Sequence, residues 1–129
     1  MTSAQSDITE VAKKVRRDFG RCVDFQCIIL TTMLVDVLRG LGYDVRHVYG
    51  AIHVEGNYAT TYGHPPVQWD DKYDDIEWMD HHWATVGNLI IDISADQFNP
   101  LMRKGNKFKA VMVGPESQFP FHELIREER

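Results

Sequence analysis

The chain has 129 residues, enough for one compact domain spanning 1–129. Its formal net charge of −5 and scattered basic residues give no support to nucleic-acid binding, and hydrophobic residues at 43% are sufficient for a real core. No apolar run approaches the ~18 residues needed to span a bilayer, and the polar start, Met1 to Asp7, lacks the apolar core of a signal peptide. The expectation is therefore a cytoplasmic protein with no membrane and no nucleic-acid partner.

In chain order, Ser6 to Phe19 reads as an amphipathic helix. Ile8, Val11, Val15 and Phe19 recur at helical spacing, Ser6 or Asp7 can cap the start, and Gly20 can end it. Asp24 to Leu41 reads as a second helix, with Asp24 as N-cap and Gly42 as stop. Apolar residues nearly surround it, from Ile28 to Leu41, so a central, largely buried position is expected.

Asp44 to Val54 has the length and β-branched content of a strand. Glu55 to Met79 resists assignment and reads as a long loop, ordered by Tyr58, Tyr62, Trp69, Tyr73 and Trp78. The acids between Asp70 and Asp80 form either a solvated face or a surface that attracts a cationic group. His81 to Val86 and Leu89 to Ser94 read as a hairpin about Gly87-Asn88. Lys107 to Val113 is a last strand ended by Gly114-Pro115, and Phe121 to Arg126 reads as a short closing helix. Helices first and hairpin-linked strands afterwards predict an α+β domain with an antiparallel sheet.

Three residues carry the chemistry in this reading: Cys27, His81 and Asp92. A thiol attacks only as thiolate, and a helix N-terminus or a facing imidazolium favours that form. Cys27, in the first turn of the second helix, has such a setting. Backbone N–H groups there can also hold an oxyanion. On a strand, His81 and Trp83 share one face while His82 takes the other. Spacing alone does not choose between the histidines, and the aromatic Trp83 as the inward residue favours His81. Asp92 lies in the apolar run Leu89-Ile90-Ile91-Asp92-Ile93, where a carboxylate needs a partner, and an imidazole on the adjacent strand is a natural one.

Alternatives accompany this reading. Cys22, five residues earlier, is the rival nucleophile if the helix begins sooner. Asp80, His81, His82 and Asp92 could supply metal ligands, but adjacent histidines on a strand point apart, and no HExxH or paired Cys/His spacing is present. No metal or organic cofactor is therefore expected.

These residues, in this order, resemble the transglutaminase-like branch of the papain-like cysteine enzymes. The first block is Cys27, an apolar helix, Leu38-Arg39-Gly40-Leu41-Gly42, then Arg46-His47-Val48-Tyr49-Gly50. The second is His81-His82-Trp83 followed by Asp92-Ile93-Ser94. The match covers roughly residues 24–98 and selects Cys27 over Cys22 and His81 over His82. The resemblance implies a Cys-bearing helix packed on an antiparallel sheet that bears His and Asp. It also implies thioester chemistry on an amide or peptide bond, as hydrolase or acyltransferase. A peptide, a protein or a small amide is then the substrate. Trp83, Gln97, Tyr49, Trp69 and Trp78 are expected to line it; Gln97 either donates to a substrate carbonyl or closes a turn. The other class is a non-catalytic module of the same fold that grips a protein partner with the aromatic, acidic loop of residues 55–79.

Overall fold

The computed structural model describes residues 3–20, 27–54, 57–59, 67–68, 81–101, 108–119 and 122–128. Two helices, α1 (Ser3–Phe19) and α2 (Cys27–Gly40), precede the strands β1 (Val45–Val54), β2 (Asn57–Ala59) and β3 (Val67–Gln68). Then follow β4 (His81–Val86), β5 (Leu89–Asp92), β6 (Met112–Pro115) and β7 (His122–Glu128). The order across the sheet is β3-β2-β1-β4-β5-β6, with β7 also paired to β1, and every pairing is antiparallel. The chain is thus α+β, with two helices packed on an antiparallel sheet.

α1 begins at Ser3, earlier than the Ser6 or Asp7 cap expected. Ile8, Ala12 and Val15 form its buried stripe, one helical turn apart. Its end is as expected: Gly20 has φ +93° and donates its N–H to Arg16 O at 3.0 Å. α2 ends in a Schellman turn. Tyr43 N donates to Leu38 O at 3.1 Å and Gly42 N to Arg39 O at 3.0 Å. Gly42, with φ +95°, takes the left-handed position that other residues adopt only with strain.

α2 is less enclosed than its composition suggests. Cys27, Leu30, Thr31, Leu34, Val35 and Leu38 are buried, all on one face. Ile28, Ile29, Met33, Val37 and Leu41 are exposed, by 38% to 59%. The largely buried position expected is therefore corrected in part: the sheet covers one side of α2 and α1 flanks it, but an apolar stripe faces outward. The Asp24 cap and Cys22 lie outside the described residues.

The sheet has two packed faces. On the first, Val45, Ala84, Ile91 and Ile93 join α1 and α2 in the main core. On the second, Val48, Trp83, Ile90 and Phe119 make a smaller cluster. Strand alternation explains the division, because Val45 pairs with Val86 on one face and Val48 with Trp83 on the other. The hairpin turns at Gly87-Asn88 as expected, with Gly87 at φ +58° and Val86 opposite Leu89.

The short strands β2 and β3 lie inside the stretch expected to be a loop, two other strand boundaries shift, and the closing element changes type. β5 stops at Asp92 instead of Ser94, because the Asp92 carboxylate captures the next backbone N–H groups. A 3-10 segment, Ala95–Leu101, follows. β6 is Met112–Pro115, so the strand expected at Lys107 to Val113 starts later and includes Gly114-Pro115. The closing helix expected at Phe121 to Arg126 is instead the strand β7. Its Glu, Leu and Arg content favours a helix locally, but the free edge of β1 supplies backbone partners from His47 to Ile52. A bulge at Tyr49/Gly50 bends this pairing.

Candidate active site

Asp92 is the centre of the site. It is the last residue of β5 and 0% exposed, and its side chain lies on the second face with Ile90, while Ile91 and Ile93 point to the helices. Oδ1 accepts the backbone N–H groups of Ser94 at 2.9 Å and Ala95 at 3.0 Å, which fixes the carboxylate plane. Oδ2 faces two imidazoles. His81 Nε2 and His122 Nε2 each lie 2.7 Å from it. Burial alone would raise the Asp92 pKa. The charge of His81, the hydrogen bonds from His122 and His81, and the charge of His122 outweigh it, holding the carboxyl well below the usual range.

His81, the first residue of β4, is fully buried. Its ring lies 5.7 Å from Trp83, and its Nδ1 is 3.5 Å from Gln97 Nε2. The expected His81–Asp92 contact is present. The reasoning that turned His81 toward the helix is corrected: His82 takes the helix side with Ala84, and its ring meets His47, Nδ1 to Nε2 at 2.8 Å. Trp83 is inward, as expected, but on the second buried face. A sheet packed on both sides makes aromatic burial silent about which side the helices occupy.

Cys27 is the first residue of α2 and is 2% exposed. Two contacts set its place along the sheet. Thr31 Oγ1, one turn after Cys27 on the same helix face, donates to His82 O at 3.2 Å. Near the other end, Arg39 Nη2 donates to Val45 O at 3.2 Å, and Val45 pairs with Val86. α2 therefore runs parallel to β4, and its first turn lies at the end of β4 that carries His81.

His122 is the residue that sequence reasoning missed, having been assigned to the closing helix. In the strand order β7-β1-β4-β5, three spacings of ~4.8 Å separate it from Asp92, more than the two side chains bridge on a flat sheet. Their 2.7 Å contact requires a sheet curled toward its second face. The ring of His122 packs edge-on against Trp83 at 4.9 Å and Phe119 at 5.1 Å. The only sequence hint was its aromatic setting, directly after Phe119-Pro120-Phe121. Two buried atoms here, His122 Nδ1 and Gln97 Oε1, have no hydrogen-bond partner among the described residues.

A pocket of about 170 Å³ opens beside His122 on the same face, walled by Val48, Trp83 and Ile90, with Thr85 and Glu116 among its polar residues. Of the residues expected to line a substrate, Trp83 and Gln97 are in contact with His81. Tyr49 contributes backbone to β1 opposite His82, and its side chain lies outside the described residues, as do Trp69 and Trp78.

A carboxylate that receives Nε2–H of His81 leaves Nδ1 as the nitrogen for proton exchange. Among the described residues no helix is long and apolar enough to cross a membrane. Comparison with protein-family models, curated proteins and solved structures finds no match to this chain.

Proposed function

We propose that the chain is a cysteine-dependent hydrolase or acyltransferase that acts on an amide or peptide bond with Cys27, His81 and Asp92. The observation that carries this reading is the buried 2.7 Å contact between His81 Nε2 and Asp92 Oδ2; α2 packs on the other face of the sheet, and its first turn, with Cys27, lies at the same end of β4. The resemblance of both sequence blocks to transglutaminase-like enzymes supports it, and a papain-like core belongs to the same proposal.

In the proposed reaction, the Cys27 thiolate adds to the carbonyl carbon and the C=O π pair moves to oxygen. The backbone N–H of Cys27 and the amide of Gln97 stabilise that oxyanion. His81 Nδ1 gives its proton to the departing nitrogen as the C–N bond breaks, leaving a thioester. Water then loses a proton to His81 Nδ1 and adds to the thioester, releasing acid and thiolate. An amine in place of water gives transfer. Asp92 keeps the imidazole in one tautomer and offsets its positive charge. The substrate class is a peptide, a protein or a small amide, and no organic cofactor enters this reaction.

The test is iodoacetamide labelling between about pH 5 and 9, with peptide mass spectrometry separating Cys27 from Cys22. The expected result is rapid labelling of Cys27 below pH 7 that slows in His81→Ala. Labelling that follows an ordinary thiol titration and ignores His81→Ala overturns the proposal and leaves a non-catalytic binding module.

A further inference from the structure

We propose that His81, Asp92 and His122 form a binding site for a divalent first-row transition metal, with zinc as the best match. Their ligating atoms all lie within 4.8 Å of one another. Both Nε2 atoms converge on one oxygen, Asp92 Oδ2, at 2.7 Å. Metal bonds of ~2.0–2.1 Å at tetrahedral angles hold ligand atoms roughly 3.3 Å apart, so a small outward movement of each ring admits the ion.

The surroundings suit a metal centre. Ser94 N and Ala95 N occupy Asp92 Oδ1, which leaves Oδ2 as the ligating oxygen. His81 Nδ1 lies 3.5 Å from the Gln97 amide, whose buried Oε1 lacks a partner among the described residues. Rotation of that amide by half a turn offers Oε1 to Nδ1–H, the support that a ligating imidazole uses. Each ligand sits on a strand. One of the ligands, His122, also lines the pocket on this face of the sheet.

The donor set selects the metal. Two imidazoles and one carboxylate suit zinc, cobalt or nickel, while magnesium and calcium require more oxygen ligands. Binding replaces the two Nε2–H···Oδ2 hydrogen bonds with three metal–ligand bonds, and each ligating imidazole carries its proton on Nδ1. The loaded form would withdraw Asp92 from its hold on His81 and slow thiol chemistry at Cys27. That consequence rests on the proposed function, whereas metal binding itself does not.

The experiment titrates the full chain with cobalt(II), read by its visible ligand-field absorption, with zinc as competitor. The expected result is one equivalent bound, weakened at least ~tenfold in both His122→Gln and His81→Gln, whose folding circular dichroism checks. Should His122→Gln fail to fold, the unmodified chain decides: one equivalent of cobalt must shift or broaden the ring resonances of His81 and His122. Absence of saturable binding, affinity unchanged in the histidine variants, undisturbed ring resonances, or a thiolate charge-transfer band placing the metal on a cysteine each overturn the proposal. Metal binding alongside an unreactive Cys27 would sink only the thiol reading, and a reactive Cys27 without metal binding would sink only this one.

Discussion

His122 and Asp92 meet through a 2.7 Å contact although they are 30 residues apart and lie on strands that β1 and β4 separate. This contact makes Asp92 the junction of two imidazoles and two backbone N–H groups. It closes the curled sheet over the Trp83–Phe119 cluster, so the same residue serves the site and the packing of the second face.

Asp92→Asn keeps the side-chain shape but removes the charge that both imidazoles face. Leaving a buried charged network broken costs about 3–5 kcal/mol. We expect a loss of that order in urea unfolding. If Asp92→Asn unfolds with the midpoint of the unmodified chain, Asp92 is not the hub that the geometry describes.

Acid stability follows from the same residue. The folded pKa of Asp92 lies below its unfolded value of ~3.9, so its contribution is fully present above that value. Stability is lost as pH falls below ~4 toward the folded pKa, because the unfolded chain binds the proton first. Unfolding free energies measured from pH 6 down to pH 2 should therefore decline more steeply in the unmodified chain than in Asp92→Asn.

Arg16 binds Asp96 through two parallel hydrogen bonds, Nη1 to Oδ1 at 2.8 Å and Nη2 to Oδ2 at 2.7 Å. Nη1 also reaches Ile93 O at 2.8 Å. These contacts pin the segment after Asp92 to α1. Lysine cannot reproduce the fork, so Arg16→Lys should destabilise by about 1–3 kcal/mol. Limited proteolysis of the variant should cut within residues 95–101 faster than in the unmodified chain.

The two sides of α2 give opposite expectations. Leu34, 1% exposed, faces the core, and Leu34→Ala should cost about 2–5 kcal/mol. Val37, 43% exposed, lies on the outer stripe, and Val37→Ala should change stability by no more than about 0.5 kcal/mol. Equal thermal shifts for the pair would contradict the one-sided packing of α2.

Gly42 sits at φ +95° in the Schellman turn, with open space around it. A methyl group there meets no neighbour, so any cost is backbone strain. Gly42→Ala should lose ~1 kcal/mol or more, measured by chemical denaturation.

The sequence by itself determined the elements whose signals are local. Apolar periodicity gave α1 its buried stripe of Ile8, Ala12 and Val15. Gly20 and Gly42 marked two helix ends and Gly87 a hairpin turn, because each needs a positive φ. The hairpin brought His81 and Asp92 onto adjacent strands, and the need of a buried carboxylate for a partner foretold their contact. Tertiary structure decided the rest. The outward stripe of α2 was illegible because an apolar residue reads alike whether or not the fold covers it. The face of His81 was illegible because the sheet buries both of its sides. β7 was read as a helix from residues that favour helices locally, until the open edge of β1 offered backbone partners that no local pattern encodes. His122 joined Asp92 only through that pairing and the curl of the sheet, since a contact made across two intervening strands leaves no trace in residue spacing.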